Sequence, residues 1–296
     1  MTKTTINILL IAGAVMCCPT YLSAQKEAKP QAEEVEVKKK FAHLKSAAKK
    51  SMMTGLRLIE KGKVDEEEGI DEVSDGIQLL VEIGEGVIPK CLTSFPRIQE
   101  VGRLAELLTV LDKVLVDHDL SLALSLSNRK TPDEVYAYLL RRWADSSLDD
   151  AVDQLTEFFE RDHPEIKYQC VRGLMMRGKE LAVEECVKII DLQWKDDKQQ
   201  LRADFSGLSR GIMSELIEKK LTTANKKARL LGLHLFELFG LEKDKQALAD
   251  NLSNSDTALR LGAINACRVV IANEPPLMRP SMTELIELAT AWSAKI

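Results

Sequence analysis

Residues 163–178 (HPEIKYQCVRGLMMRG) and 225–240 (NKKARLLGLHLFELFG) read alike. With Ile166 set over Ala228, Lys167 falls over Arg229, Cys170 over Gly232, Leu174 over Phe236 and Gly178 over Gly240. An apolar or small residue at every fourth position, closed by a glycine, is the pattern of one helix written twice. A helix repeated along a chain cannot bury its apolar stripe alone and must be covered by its neighbours. The fold class predicted is therefore all-α, an α-solenoid of antiparallel helix pairs.

The period follows from the apolar residue one turn into each first helix. Val135, Ile166, Leu201, Ala228 and Leu259 serve as markers, spaced 31, 35, 27 and 31 residues apart, and all but Val135 precede Lys or Arg. Helices are expected to begin near 132, 148, 164, 180, 197, 224, 243, 255 and 282, with short joints that force antiparallel neighbours. Thr131 with Glu134, Ser147 with Asp150, and Ser281 with Glu284 offer capping boxes at three of these starts, and His163 precedes Pro164 as a helix-start residue. This arrangement resembles HEAT repeats, of the armadillo-like class, across residues 131–273, and more loosely across 70–117. The resemblance implies helix pairs whose first member carries an apolar-basic dipeptide, and a surface that binds other molecules. The aspartate usual between paired helices of that family is missing from most units here.

Before residue 131 the signals are less regular. Phe41, Leu44, Ala48, Met52 and Ile59 keep helical spacing up to Gly62, and acidic Asp65–Glu68 leads to a second helix through Val73, Ile77, Leu80 and Ile83, stopped at Gly84. A short helix around Pro89 and Leu92 and a long one from Ile98 to Leu115 follow, separated by Pro96. Asp119–Asn128 alternates leucine and serine and reads as helix or loop. Trp292, Leu285 and Leu288 are expected to close the C-terminal end.

The first 24 residues read as a cleavable secretory signal: Lys3 is the positive region, Ile8–Cys18 the apolar core, and Leu22-Ser23-Ala24 the small-residue cleavage site. The apolar run is about half of what spans a bilayer, and Pro19 closes it. Met16 and Cys17, standing before Cys17 and Cys18, do not suit lipid attachment. The expected location is periplasmic or extracellular, with no integral membrane span after cleavage. Residues 25–32 are polar and proline-punctuated and read as a disordered tether. Residues 25–50 hold eight lysines against four glutamates, although the whole chain carries a formal charge of −5. The body is therefore acidic, which argues against nucleic acid as a partner.

Catalytic motifs are incomplete. Gly207-Leu208-Ser209-Arg210-Gly211 fits the spacing of a nucleophile elbow, but no strand precedes it and no suitable histidine follows. Asp117, His118 and Asp119 are adjacent, so their side chains diverge on a helix. Asp65, Glu67 and Gly69 miss the spacing of a calcium loop by one residue. Gly84-Glu85-Gly86 meets Pro89 where a dinucleotide fingerprint needs glycine. Asp149-Asp150 and Asp196-Asp197 sit at expected helix starts. Cys91, Cys170, Cys186 and Cys267 lack metal spacing; Cys170 and Cys186 fall on consecutive expected helices, which could bring them together, and burial as small hydrophobes is the expectation. Tyr136, Tyr138 and Trp143 fit core packing. No catalytic, cofactor or metal residue is assigned. The function expected is a non-catalytic binding or scaffold module for a protein or envelope polymer, lined by second helices such as Leu181–Leu192 and Met282–Trp292. The alternative is an all-α envelope enzyme, or enzyme accessory domain, acting on glycans or other polymers.

Overall fold

The computed structural model describes residues 44–296 except Glu66, Pro96, Arg97, Gln99, Arg129 and Ser209, and leaves out the side chains of Val101 and Arg210. The signal segment, the tether and the onset of order near Glu33 lie outside the described residues. What is described is almost wholly helical: α1 Ser46–Lys61, α2 Glu72–Ile83, α3 Ile88–Ser94, α4 Val101–Val114, α5 Leu120–Leu126, α6 Asp133–Asp145 and α7 Ala151–Phe159. There follow α8 Pro164–Met176, α9 Val183–Phe205, α10 Arg210–Leu221, α11 Lys226–Phe239, α12 Ala249–Leu252, α13 Thr257–Val270 and α14 Met282–Ser293. Short 3-10 turns lead into α3, α5, α9 and α12.

One departure from helix comes where the acidic stretch was expected to run straight into α2. Val64–Asp65 (β1) pairs antiparallel with Ile70–Asp71 (β2), with Gly69 at φ 66° in the turn. Asp65 Oδ1 accepts from the Glu68 amide at 3.2 Å, and Asp71, one residue before α2, accepts from the Ser74 amide at 3.0 Å. The aspartates are used to build a turn and a cap.

The marker residues fall at equivalent places. Val135, Ile166, Ala228 and Leu259 are each the third residue of their helix. The fifth marker, Leu201, lies within α9, which is interrupted at Asp197 (φ −120°, ψ 24°). Two helices expected to begin near 180 and 197 are thus joined end to end without a loop. The residue before the helix caps it in three of the four helices whose third residue is a marker: His163 Nδ1 accepts from Ile166 N–H at 3.4 Å, Asn225 Oδ1 from Ala228 N–H at 3.1 Å, and Asp256 Oδ1 from Leu259 N–H at 3.2 Å. Each satisfies an amide that a helix start leaves without a partner, and Asp256 serves the Ala258 amide as well.

Of the three expected capping boxes only the last forms, with Ser281 Oγ accepting from Glu284 N–H and Glu284 Oε2 from Ser281 N–H. At α6 the cap position is Pro132, and the Thr131 hydroxyl instead accepts from the Asn128 amide. At α7 the cap position is Asp150, without a side-chain bond, because the chain enters through a turn at Leu148. The glycines that end the aligned segments also differ. Gly178 has φ 67° and closes α8 with Lys179 N–H donating to Leu174 O, a left-handed cap. Gly240 is extended, and a Cβ there would stand 2.5 Å from the Phe236 carbonyl oxygen.

Packing is between near neighbours. Among the described residues, α6 packs on α8, α8 on α9, α9 on α11 and α11 on α13, while α7, α10 and α12 lie against the helix that follows each. Helix α14 covers α12 and α13 with Leu285, Ala289 and Trp292, and Leu288 is half-buried. Where α1 crosses α2, Gly55 and Gly76 meet: a Cβ on Gly76 would stand 2.8 Å from the Gly55 carbonyl oxygen. Trp143, Phe205, Phe236 and Phe239 are fully enclosed, and Tyr168 meets Phe205 edge-on at 5.5 Å.

Helix C-termini are tied by arginines from later helices. Arg103 Nη2 donates to Gly62 O and Arg142 Nη2 to Leu115 O, each at 2.9 Å. Arg177 donates to Trp143 O, Ala144 O and Ser146 O at the end of α6, and to Gly173 O of its own helix. These carbonyls belong to the last turn, or lie just beyond it, where no intrahelical donor remains.

Candidate functional site

Helices α6, α8 and α9 enclose a cleft of about 460 Å³ lined by polar groups. On α8, Glu165, Tyr168, Gln169 and Arg172 follow the i, i+3, i+4, i+7 spacing of one helix face, and on α9 Gln193, Asp197, Gln200 and Asp204 follow the one-face spacing i, i+4, i+7, i+11. Arg141 of α6 stands at the rim.

The floor holds one network centred on Asp204 and a separate Glu165–Gln169 pair. Tyr168 Oη and Gln200 Nε2 each donate to Asp204 Oδ2 at 2.7 Å. Arg172 Nη2 donates to Asp145 Oδ1 at 2.6 Å, and its Nε lies 3.5 Å from Asp204 Oδ1, within ion-pair distance. Gln169 Nε2 donates to Glu165 Oε1 at 2.9 Å. Three buried polar atoms of these residues have no hydrogen-bond partner: Gln169 Oε1, Arg172 Nη1 and Arg172 Nε, the last facing Asp204 at ion-pair distance only. Burial first, and then the Asp204 carboxylate, hold the Tyr168 phenol well above its ordinary range, so it stays protonated and acts as a donor. The floor thus positions donors and acceptors and offers no activated nucleophile of its own.

A second polar centre lies across α9 and α11. Arg202 pairs with the buried Glu237, whose carboxyl is pushed up by burial against the pull of the guanidinium. Trp194 stacks on His234 with ring centroids 4.2 Å apart, and burial, then Arg202, lower the imidazole to about 4. It is a neutral packing group at ordinary pH.

The residues singled out in the sequence are distributed as follows. Ser209 lies outside the described residues; the segment before it is helix α9, not the strand an elbow needs. Asp117 turns toward Arg142 at 3.4 Å, whereas His118 and Asp119 approach Glu85, the ligand atoms of the three lying within 4.8 Å of one another. The divergence expected of Asp117, His118 and Asp119 therefore holds for Asp117 only. Glu85 and His118 are exposed, and Asp119, fully buried, has a further interaction of its own. Asp65 is occupied by Lys63 and the hairpin turn. Gly84, at φ 78°, ends α2. Asp149 and Asp150 precede α7 and are exposed. Cys91, Cys170, Cys186 and Cys267 are free and buried, each thiol pushed up to about 12 by burial. Tyr136 and Trp143 are core residues, while the Tyr138 hydroxyl faces Asp112 at 3.4 Å.

The cleft was not foreseen, Asp197 excepted, and Asp197 was read as a cap. Its signal was two helix faces that stay polar at core-like spacing. No family model matches the sequence, and comparison with curated proteins gives no match. Among the described residues no helix is long and apolar enough to cross a membrane.

Proposed function

We propose that this chain is an exported helical-repeat protein, HEAT-like in its plan, that works as a non-catalytic binding or scaffold module. The observation that carries the reading is the succession α6, α8, α9, α11 and α13, each packed on the one before, with the marker residue at the third position of four of these helices. Such stacking builds an extended surface from neighbour contacts alone, and surfaces of that kind hold partners. The polar cleft supplies a place where a partner's hydrogen-bonding groups dock. Exposed apolar residues, Leu181 in the turn before α9, Leu192 on α9 and Met282 and Ile286 on α14, add area that a partner would cover. The signal-like sequence of residues 1–24 supports a partner in the envelope or outside the cell.

Capture tests the reading. Mature protein, fixed to a support and exposed to envelope extract, is expected to retain a defined protein partner that free mature protein competes away. If it retains none, and instead cleaves or modifies an envelope glycan, the enzyme alternative replaces this one.

A further inference from the structure

We propose that the cleft between α6, α8 and α9 is a seat for an arginine or lysine side chain presented by a protein partner. This rests on the binding role above and names the chemistry recognised. The charges that face the cleft do not balance. The charge of Arg172 is already balanced by Asp145 and Asp204, although its Nη1 has no hydrogen-bond partner. Of the remaining lining residues, Glu165 and Asp197 are acidic and Arg141 is basic. Asp197 makes no hydrogen bond or ion pair among the described residues, and Glu165 uses only Oε1, toward Gln169. Unengaged carboxylate oxygens thus stand on both walls, one on α8 and one at the break in α9.

The shape of this acceptor set selects among cations. The only trio of metal-ligating side chains with ligand atoms within 4.8 Å of one another, among the described residues, is Glu85, His118 and Asp119. Glu165, Asp197 and Asp204 are therefore spread too widely for one bare ion. A guanidinium has donors on several edges and bridges separated carboxylates; an ammonium on a long stem reaches between them less selectively. Gln193 and Gln200, flanking Asp197 on the same helix face, offer amide groups to the partner's backbone, and Arg141 offers donors to a backbone carbonyl. A neutral saccharide fits less well, because the one aromatic ring in the lining, Tyr168, is only 9% exposed and presents no open face for stacking.

The test uses mature protein and capped pentapeptides with arginine, lysine, alanine or glutamate at the centre, flanked by glycine and alanine, with binding followed by NMR titration. The arginine peptide is expected to bind about tenfold more tightly than the alanine peptide, with lysine between them and glutamate weakest, and binding should fall as salt rises. The double variant Glu165→Gln, Asp197→Asn changes two exposed side chains and should keep the thermal midpoint while losing about tenfold in arginine-peptide affinity. Equal affinity for the alanine peptide, or binding indifferent to the double variant, overturns the seat. So does cleft-dependent binding of an N-acetylglucosamine tetramer in preference to the peptides. The capture experiment separates this from the wider reading: a partner held equally by wild type and double variant refutes the seat and keeps the binding role, whereas no partner at all refutes the role.

Discussion

Arg177 offers a direct measurement of how helices are held to one another in this chain. Its Nη1 donates to Ala144 O at 2.9 Å and Gly173 O at 3.0 Å, and its Nη2 to Trp143 O at 3.1 Å and Ser146 O at 2.7 Å. A hydrogen bond from a charged donor contributes about 1.5–3 kcal/mol. Four such bonds do not add fully, because burial opposes the charge and lowers the guanidinium pKa, and because water reaches part of the vacated site. Arg177→Ala is therefore expected to cost about 2–4 kcal/mol, a large share of an ordinary domain's stability. Arg177→Lys keeps the charge but has no planar fork to serve carbonyls on two helices, and should recover less than about half of that. Urea unfolding at neutral pH measures both, provided the slope stays constant. A loss below about 0.5 kcal/mol for alanine, or lysine equal to wild type, would refute the idea that this guanidinium fastens α6 to α8.

Asp256→Ala removes a cap that serves two amides and should cost about 1 kcal/mol, while Ser147→Ala, at a cap position the chain does not use, should cost nearly nothing; thermal melts of the two variants compare them. Stability should be complete above pH 6.5 and fall as the pH drops toward 4, since the unfolded chain protonates His234 near 6.5 and the native state resists until about 4. Glu237, pushed up by burial, acts with the opposite sign, so the readout is the difference between wild type and His234→Gln; no difference in slope across that window would count against the burial of the ring. Native protein lacking residues 1–24 should react with no aromatic disulfide reagent until it unfolds, when Cys91, Cys170, Cys186 and Cys267 should all titrate; rapid native reaction at any of them contradicts their enclosure.

The helices were legible because each writes its own apolar stripe locally. Gly62, Gly84 and His163 mark helix boundaries as read, and Ser281 with Glu284 closes a capping box. Thr131 and Ser147 show the limit of that reading: a capping residue has several amides within reach, and Thr131 serves Asn128 because Pro132 already sets the helix entrance. The hairpin at Val64–Asp71 escaped because two-residue strands have no period to detect. The cleft escaped for a different reason. Glu165 and Arg172 belong to one helix and Gln200 and Asp204 to another, and their convergence depends on how α8 meets α9, which neither segment encodes alone. His118 and Asp119 likewise meet Glu85 from a distant part of the chain.

The loopless joint inside α9 sets where this chain tolerates change in length. A residue inserted into one of the turns between helices can be absorbed by the turn, but one inserted within Val183–Phe205 rotates everything beyond it by about 100° about the helix axis. Asp197 would leave the wall of the cleft, and Leu201 and Phe205 would leave the core. Relatives of this chain should thus vary in length at their turns while keeping α9 fixed residue for residue, and helices added or removed by recombination should have their ends elsewhere.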